Sequence, residues 1–181
     1  MTELYNSFNS YLKKRFRQRI RKIPINAGFT CPNKDGRIST QGCIFCDTYG
    51  SGPIQSFELP ISQQITTFIG NHPGFKYIAY YQAHSNTCAP VEELRRKYEI
   101  AFDFKDIVGL FIGTRPDAIA DNVYPLLEEL NKKTFLTVEL GLQSIHSKSL
   151  RFLNRNHTYR QFLDTFEKLK KKEGSMWWFT S

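Results

Sequence analysis

A chain of 181 residues, 40% hydrophobic and 14% aromatic, can bury one sizeable core, which excludes a disordered linker. No run of about 18 apolar residues occurs, which argues against a membrane span, and the start MTELYNSFNSYLKKRFRQ lacks a signal peptide's apolar centre. The net charge of +8, with a pI near 9.4, points toward a polyanionic partner such as nucleic acid, and the free-thiol setting toward a cytoplasmic chain.

Leu4, Phe8, Tyr11, Leu12, Phe16 and Ile20 recur at helical spacing, so residues 1–22 are expected to form a basic amphipathic N-terminal helix. Its polar back would carry Lys13, Lys14, Arg15, Arg17, Arg19, Arg21 and Lys22, seven cations in ten residues. Such density can neutralise phosphates, though a charge run also serves simply as a solvated helix face. A second basic cluster, Lys168, Lys170, Lys171 and Lys172, lies near the other end.

The run IPINAGFT (23–30) reads as a short strand ending at Cys31. Residues 31–56 hold Pro32, Gly36, Gly42, Gly50, Gly52 and Pro53, and are expected to form a long functional loop. Beyond it the chain alternates. YIAYYQA (77–83), IVGLFIG (107–113) and FLTVELG (135–141) are apolar strand-like runs, each followed by a helical pattern. Pro90 sits as a first-turn proline before VEELRRKYEIAF, Asp121 as a cap before NVYPLLEELNKK, and Thr158 with Gln161 as a capping box. Strands spaced by about thirty residues with helices between them predict an α/β fold with a parallel sheet.

In such folds the chemistry gathers at the carboxyl ends of strands. Here those ends hold Gln82, His84, Ser85 and Asn86, then Thr114, Arg115 and Asp117, then Glu139, Gln143 and Ser144. The loop after the first strand carries Cys31, Cys43 and Cys46, with Cys43 and Cys46 spaced Cys-x2-Cys. Three thiols brought together by a wrapped loop suggest an iron–sulfur cluster with one iron left open. The rival is a structural zinc site in a non-catalytic nucleic-acid-binding module, for which His84 or Cys88 would supply the fourth ligand. Cys88 otherwise reads as a bystander, and Phe45 as an ordinary core aromatic.

The ordered series NAGFTCPNKDGRISTQGCIFCDTYGSG, YYQAHSNTCAPVEELRRKYE, IGTRPDAI, VELGLQS and LNRNH resembles the YhcC/YtqA type of radical SAM protein, over about residues 5–172. GTRPD-like and VELG-like segments also occur in the Elongator catalytic subunit. The cysteine spacing departs from the commoner Cys-x3-Cys-x2-Cys pattern but agrees with this type, as does the aromatic Phe45 before the last cysteine. The resemblance implies a partial (β/α)6 barrel with its core at 23–172. It implies that Cys31, Cys43 and Cys46 bind three irons of a [4Fe–4S] cluster, whose fourth iron takes S-adenosylmethionine. Phe45, Gln82, Asn86, Thr114, Glu139 and Gln143 become cofactor-binding candidates. Gln82 and Asn86 stand where many members carry Gly-Gly-Glu, which weakens their assignment. The implied reaction is reductive cleavage to a 5′-deoxyadenosyl radical, for modification of a tRNA wobble-uridine side chain. A low-potential donor such as flavodoxin or ferredoxin would feed it, with no membrane and no stable protein partner expected.

The type continues well beyond this length, with a fifth and a sixth strand. After Lys172 an apolar strand is due, but the text is EGSMWWFTS, without a β-branched run. Codons for Met176 to Thr180, shifted by one base, would read as consecutive valines. Residues 173–181 are therefore expected to be an aberrant, frameshifted tail on a barrel truncated after about four βα units.

Overall fold

The computed structural model describes residues 7–50 and 59–170, and the backbone of 176–180. Its centre is a parallel sheet of five strands lying side by side in chain order: β1 (Ile20–Ile25), β2 (Lys76–Tyr81), β3 (Ile107–Thr114), β4 (Phe135–Gly141) and β5 (Met176–Thr180). Six helices accompany them: α1 (Phe8–Phe16), α2 (Ile61–Asn71), α3 (Val91–Glu99), α4 (Tyr124–Lys133), α5 (Ser147–Phe152) and α6 (Tyr159–Lys170). This is an α/β chain arranged as a partial barrel of four βα units, with the fifth strand at the edge of the sheet beside β4. No described helix is long and apolar enough to cross a membrane.

Register explains why the strands read as almost continuously hydrophobic. Ile23 pairs with Ala79, Ala79 with Leu110, and Leu110 with Leu136, so one face of the sheet is a continuous apolar surface. That face packs with Ile65, Leu94, Leu127, Leu130, Phe162 and Leu169 from the surrounding helices. The opposite face carries Ile78, Tyr80, Phe111 and Phe135, and α1 lays Phe8, Leu12 and Phe16 against it. Both faces are therefore covered, as expected for parallel strands.

The N-terminal helix is shorter than its periodicity predicts. Ser7 caps it, its hydroxyl accepting from the Ser10 amide at 3.1 Å, and Arg17 in a left-handed conformation (φ 55°) ends it. Residues 20–22 then belong to β1, where alternation with burial wins over the helical period. The first strand is thus Ile20–Ile25 rather than 23–30. Pro24 is tolerated because β1 is an edge strand. Beyond Ile25 the backbone is locked instead by the Gln64 side chain, which accepts from the Asn26 amide at 2.9 Å and donates to its carbonyl at 2.8 Å.

Thr158 and Gln161 form the expected capping box: the Gln161 amide donates to Thr158 Oγ1 at 3.1 Å, and the Thr158 amide to Gln161 Oε1 at 2.8 Å. Pro90 stands one position earlier than expected, as the residue before α3. Asp121 does not cap. It opens a 3-10 turn (Asp121–Val123) ahead of α4, and its carboxylate accepts from Lys168 Nζ at 2.7 Å. Of the tail expected at 173–181, residues 173–175 and 181 lie outside the described residues. Met176 to Thr180 pair in parallel with Thr137 to Gly141, so the backbone supplies a fifth strand although the segment has no β-branched run.

Candidate functional site

Each strand delivers its last residues to one end of the sheet, and the cysteine loop folds back over that end. The loop closes on itself: Lys34 and Asp35 amides donate to the Cys31 carbonyl at 2.8 and 3.0 Å, the Gly42 amide to Asn33 at 2.7 Å, and the Cys46 amide to Cys43 at 3.0 Å. Cys31, Cys43 and Cys46, all free thiols, thereby line a single cavity of about 250 Å³. Phe45, Gln82, Thr114, Glu139 and Gln143 line it with them. Asn86 does not. It is fully buried, and its amide group and backbone both donate to the Gly113 carbonyl, at 2.9 and 3.1 Å, so it ties the end of β2 to the end of β3.

Cys43 is held by a segment far away in sequence. Residues 153–156 lie across the cysteine loop: Ile44 N donates to the Leu153 carbonyl (3.2 Å), Asn154 Nδ2 to Gly42 (2.6 Å), Asn33 Nδ2 to the Asn154 carbonyl (2.8 Å), and Asn156 Nδ2 to Asn33 Oδ1 (2.8 Å). Asn154 and Asn156 adopt left-handed backbones (φ 50° and 54°), a conformation asparagine tolerates better than most residues. Three N–H groups then converge on Cys43 Sγ: Asn33 Nδ2 at 3.4 Å, Arg155 Nη1 at 3.5 Å and Arg115 Nη1 at 3.9 Å. Two buried guanidinium groups thus stand beside one sulfur. Arg115 is a member of the GTRPD run and Arg155 of LNRNH, but neither was singled out by its chemistry.

The other thiols are not equivalent to this one. Cys46 is only half-buried, and burial pushes its thiol above the ordinary value, with Lys34 opposing. A metal would have to displace that proton. Cys88 lies outside the cavity, lining a separate depression with Arg37, Thr87 and Asp117.

The sheet face of the cavity is electrostatically fixed. Glu139 accepts from Tyr80 Oη at 2.6 Å and from Lys22 Nζ at 3.2 Å, and is itself buried. Burial, with the bond to Glu139, raises the Tyr80 hydroxyl well above its usual range, so it stays a donor. Thr87 donates to the Ala118 carbonyl at 2.7 Å, leaving Thr114 to donate to Thr87 at 2.6 Å. His84 and Gln143, both lining the cavity, have left-handed backbones (φ 63° and 61°). Strain of this kind collects where a ligand is held. Among the described residues, Ser85 Oγ, Gln143 Oε1 and His84 Nδ1 are buried without a hydrogen-bond partner, so the cavity wall presents unmet polar groups.

The basic run predicted to bind nucleic acid is divided among three elements. Lys13, Lys14 and Arg15 close α1, Arg17 and Arg19 stand in the turn, and Arg21 and Lys22 are in β1. Lys22 is engaged although its side chain is 37% exposed: its ammonium sits 4.6 Å from the ring centres of both Tyr80 and Phe111 and pairs with Glu139. Arg15 covers the Phe135 ring at 4.8 Å, and Arg21 the Phe75 ring at 4.5 Å. Lys13, Arg19 and Arg21 line one polar groove with Ser7 and Ser10. That groove lies where β1 begins, at the end of the sheet opposite the cysteines.

His157 follows the segment across the cysteine loop and is 5% exposed, with neither ring nitrogen bonded among the described residues. Burial first, then the Arg155 charge, lowers it to about 4. Above pH 7 the ring is neutral in both folded and unfolded chains and contributes nothing. Between its ordinary value near 6.5 and about 4 the unfolded chain takes the proton first, so stability falls as pH falls, by at most about 3 kcal/mol. Urea unfolding of the metal-free chain at pH 7 and pH 4.5 should show this loss, and His157→Gln should remove it. An identical pH dependence in the variant would contradict it.

These residues suit a [4Fe–4S] cluster. Its thiolate ligands sit on separate irons and need not meet at a point, and among the described residues no three His, Cys, Asp or Glu side chains are placed to hold a single ion. Comparison with known proteins bears on the family. The family model described as the Radical SAM superfamily matches residues 33–177. The uncharacterized protein YtqA of Bacillus subtilis is 41% identical over 174 residues, covering 92% of this chain and 53% of that protein. Protein YhcC of Escherichia coli is 34% identical over 174 residues, covering 95% and 56% respectively. An uncharacterized protein of Methanocaldococcus jannaschii is 34% identical over 177 residues, covering 93% and 53%. The chain spans about half the length of the curated relatives it matches.

Proposed function

The chain belongs to the radical SAM superfamily, and from that premise we propose that its cavity holds a [4Fe–4S] cluster and S-adenosylmethionine for radical modification of tRNA. The observation that carries the reading is the convergence of Cys31, Cys43 and Cys46 on one cavity whose wall holds Ser85 and Gln143 as unmet polar groups. When bound and reduced, the cluster supplies the electron that splits S-adenosylmethionine into methionine and a 5′-deoxyadenosyl radical. The three cysteines would bind three irons. Gln82, Thr114 and Gln143 would orient the polar groups of the second cofactor, with Phe45 as an apolar wall. Glu139, held in place by Lys22 and Tyr80, offers a fixed acceptor for hydroxyl groups.

The substrate side of the proposal, a tRNA wobble-uridine side chain, draws on the net charge of +8 and on the groove of Lys13, Arg19 and Arg21. Since that groove lies at the far end of the sheet from the cysteines, it would grip the RNA body rather than the reacting nucleoside. Electrons would come from a flavodoxin- or ferredoxin-like donor.

Anaerobic reconstitution tests the chemistry. About four irons with matching sulfide are expected per chain, and dithionite with S-adenosylmethionine should yield 5′-deoxyadenosine and methionine in equal amounts. One bound zinc without sulfide, or a loaded chain that releases no 5′-deoxyadenosine, would overturn it. Mass spectrometry of nucleosides from treated tRNA checks the substrate. An unchanged profile alongside intact cleavage would refute the tRNA assignment alone.

A further inference from the structure

We infer that Arg155 is a positioning residue for the cysteine site, whose fixed charge favours the reduced state of whatever cluster Cys43 helps to hold. The inference rests on the proposed reading of the three cysteines as cluster ligands. Its starting point is an imbalance of buried charge. Arg115 and Arg155 both approach Cys43 Sγ, but they differ in what else they meet. Arg115 is matched by Asp117 in a two-pronged pair at 2.9 and 2.7 Å, with the two side chains only 3% and 5% exposed. Burial works against its charge, and Asp117 outweighs burial, so it is held more firmly protonated than usual.

Arg155 has no such partner. Its Nη2 donates to the neutral carbonyl of Gly141 at 2.8 Å, and its Nε meets nothing among the described residues. No described carboxylate lies within ion-pair distance of it. Burial and the neighbouring Arg115 disfavour its charge, while the Cys43 sulfur and, more weakly and beyond ion-pair distance, Asp117 favour it. A guanidinium remains protonated even so, and leaving one buried and uncompensated is costly. An anion at the Cys43 sulfur completes the site.

The fold makes room for this contact deliberately. A Cβ on Gly141 would stand 2.6 Å from Arg155 Nη2, so the glycine that ends β4 leaves the path of the guanidinium open. The segment 153–156 is then fixed to the cysteine loop by bonds from Asn33, Ile44, Asn154 and Asn156. Arg155 is therefore placed against Cys43 by rigid neighbours on both sides. Reduction brings one electron from a low-potential donor into the site, with no bond made or broken, and raises its negative charge by one. An unpaired cation 3.5 Å from a ligand sulfur favours that added charge.

The test is a redox titration of the reconstituted chain, followed by electron paramagnetic resonance of the reduced form. At a fixed potential, Arg155→Gln should lower the ratio of reduced to oxidised cluster by about tenfold, equivalent to ~59 mV for one electron. Arg155→Lys, which keeps the charge, should stay within threefold of the wild type. A change below threefold in Arg155→Gln, an equal drop in both variants, or loss of the cluster from both would overturn the inference. A wild-type chain without iron and sulfide would instead defeat the cluster reading beneath it.

Discussion

Cys43→Ala is expected to reduce the iron of the reconstituted chain from about four per molecule to less than one, with sulfide falling in parallel. Cys88→Ala should retain both. The contrast follows from position: Cys43 lines the cavity with Cys31 and Cys46, whereas Cys88 faces a different depression beside Arg37. Losing Cys43 also does more than delete a ligand. It removes the acceptor shared by Asn33, Arg115 and Arg155 and leaves Arg155 buried without a counter-charge. Cys46 is half-buried and, among the described residues, its sulfur hydrogen-bonds the adjacent Asp47 carbonyl at 3.7 Å, with no bond to a distant segment, so Cys46→Ala should disturb the empty fold less while still releasing iron. Iron and sulfide analysis, with circular dichroism to confirm folding, separates these effects. Full iron retention by Cys43→Ala would refute the ligand assignment, and a loss in Cys88→Ala would revive a site that includes it.

The cysteine site was legible because its chemistry is local: Cys43 and Cys46 are three residues apart, and the glycines and prolines around them mark a loop. Strand β4 was equally plain, since Phe135–Gly141 is a largely apolar run, interrupted only by Thr137 and Glu139, and is buried on both faces. The start of the chain misled because Phe16 and Ile20 still keep helical spacing. Only the left-handed turn at Arg17 and pairing with β2 show that Ile20 to Lys22 are strand. Lys22 looked like one of seven free surface cations, yet it pairs with an anion 117 positions away, Glu139. Arg155 was missed for the same reason. Its contact with Cys43 spans 112 residues, and no spacing rule in a single sequence reports such a pair. Asn86 erred in the opposite direction: a polar residue at a strand end can serve a neighbouring carbonyl as readily as a ligand. The fifth strand was hidden by attention to a missing β-branched run, although Trp177, Trp178, Phe179 and Thr180 are themselves residue types that suit a strand paired to β4.

Asp117→Ala should be among the most destabilising single substitutions in the metal-free chain. Asp117 is the buried counter-ion of Arg115, and removing one member of such a pair typically costs about 3–5 kcal/mol. Here the environment argues for the upper part of that range, because a second guanidinium stands close by. Arg115 Nη2 also donates to the Arg155 carbonyl at 2.8 Å, so neither cation can move away without breaking the segment that holds the cysteine loop. Asp117→Asn keeps an acceptor oxygen for one prong of the guanidinium and should lose less. The cluster enters through linkage. An anionic group bound by Cys31, Cys43 and Cys46 returns negative charge to both arginines, so the loaded Asp117→Ala protein should lose less stability than the empty one. Urea unfolding of both variants, with and without reconstitution under anaerobic conditions, measures all of these differences. A loss below about 1 kcal/mol in the empty chain would show that the pair carries little. An equal loss in the two states would show that the arginines do not sense the bound group. The expected order, empty Asp117→Ala least stable and loaded wild type most stable, ties the GTRPD and LNRNH segments to the cysteine loop as one electrostatic unit.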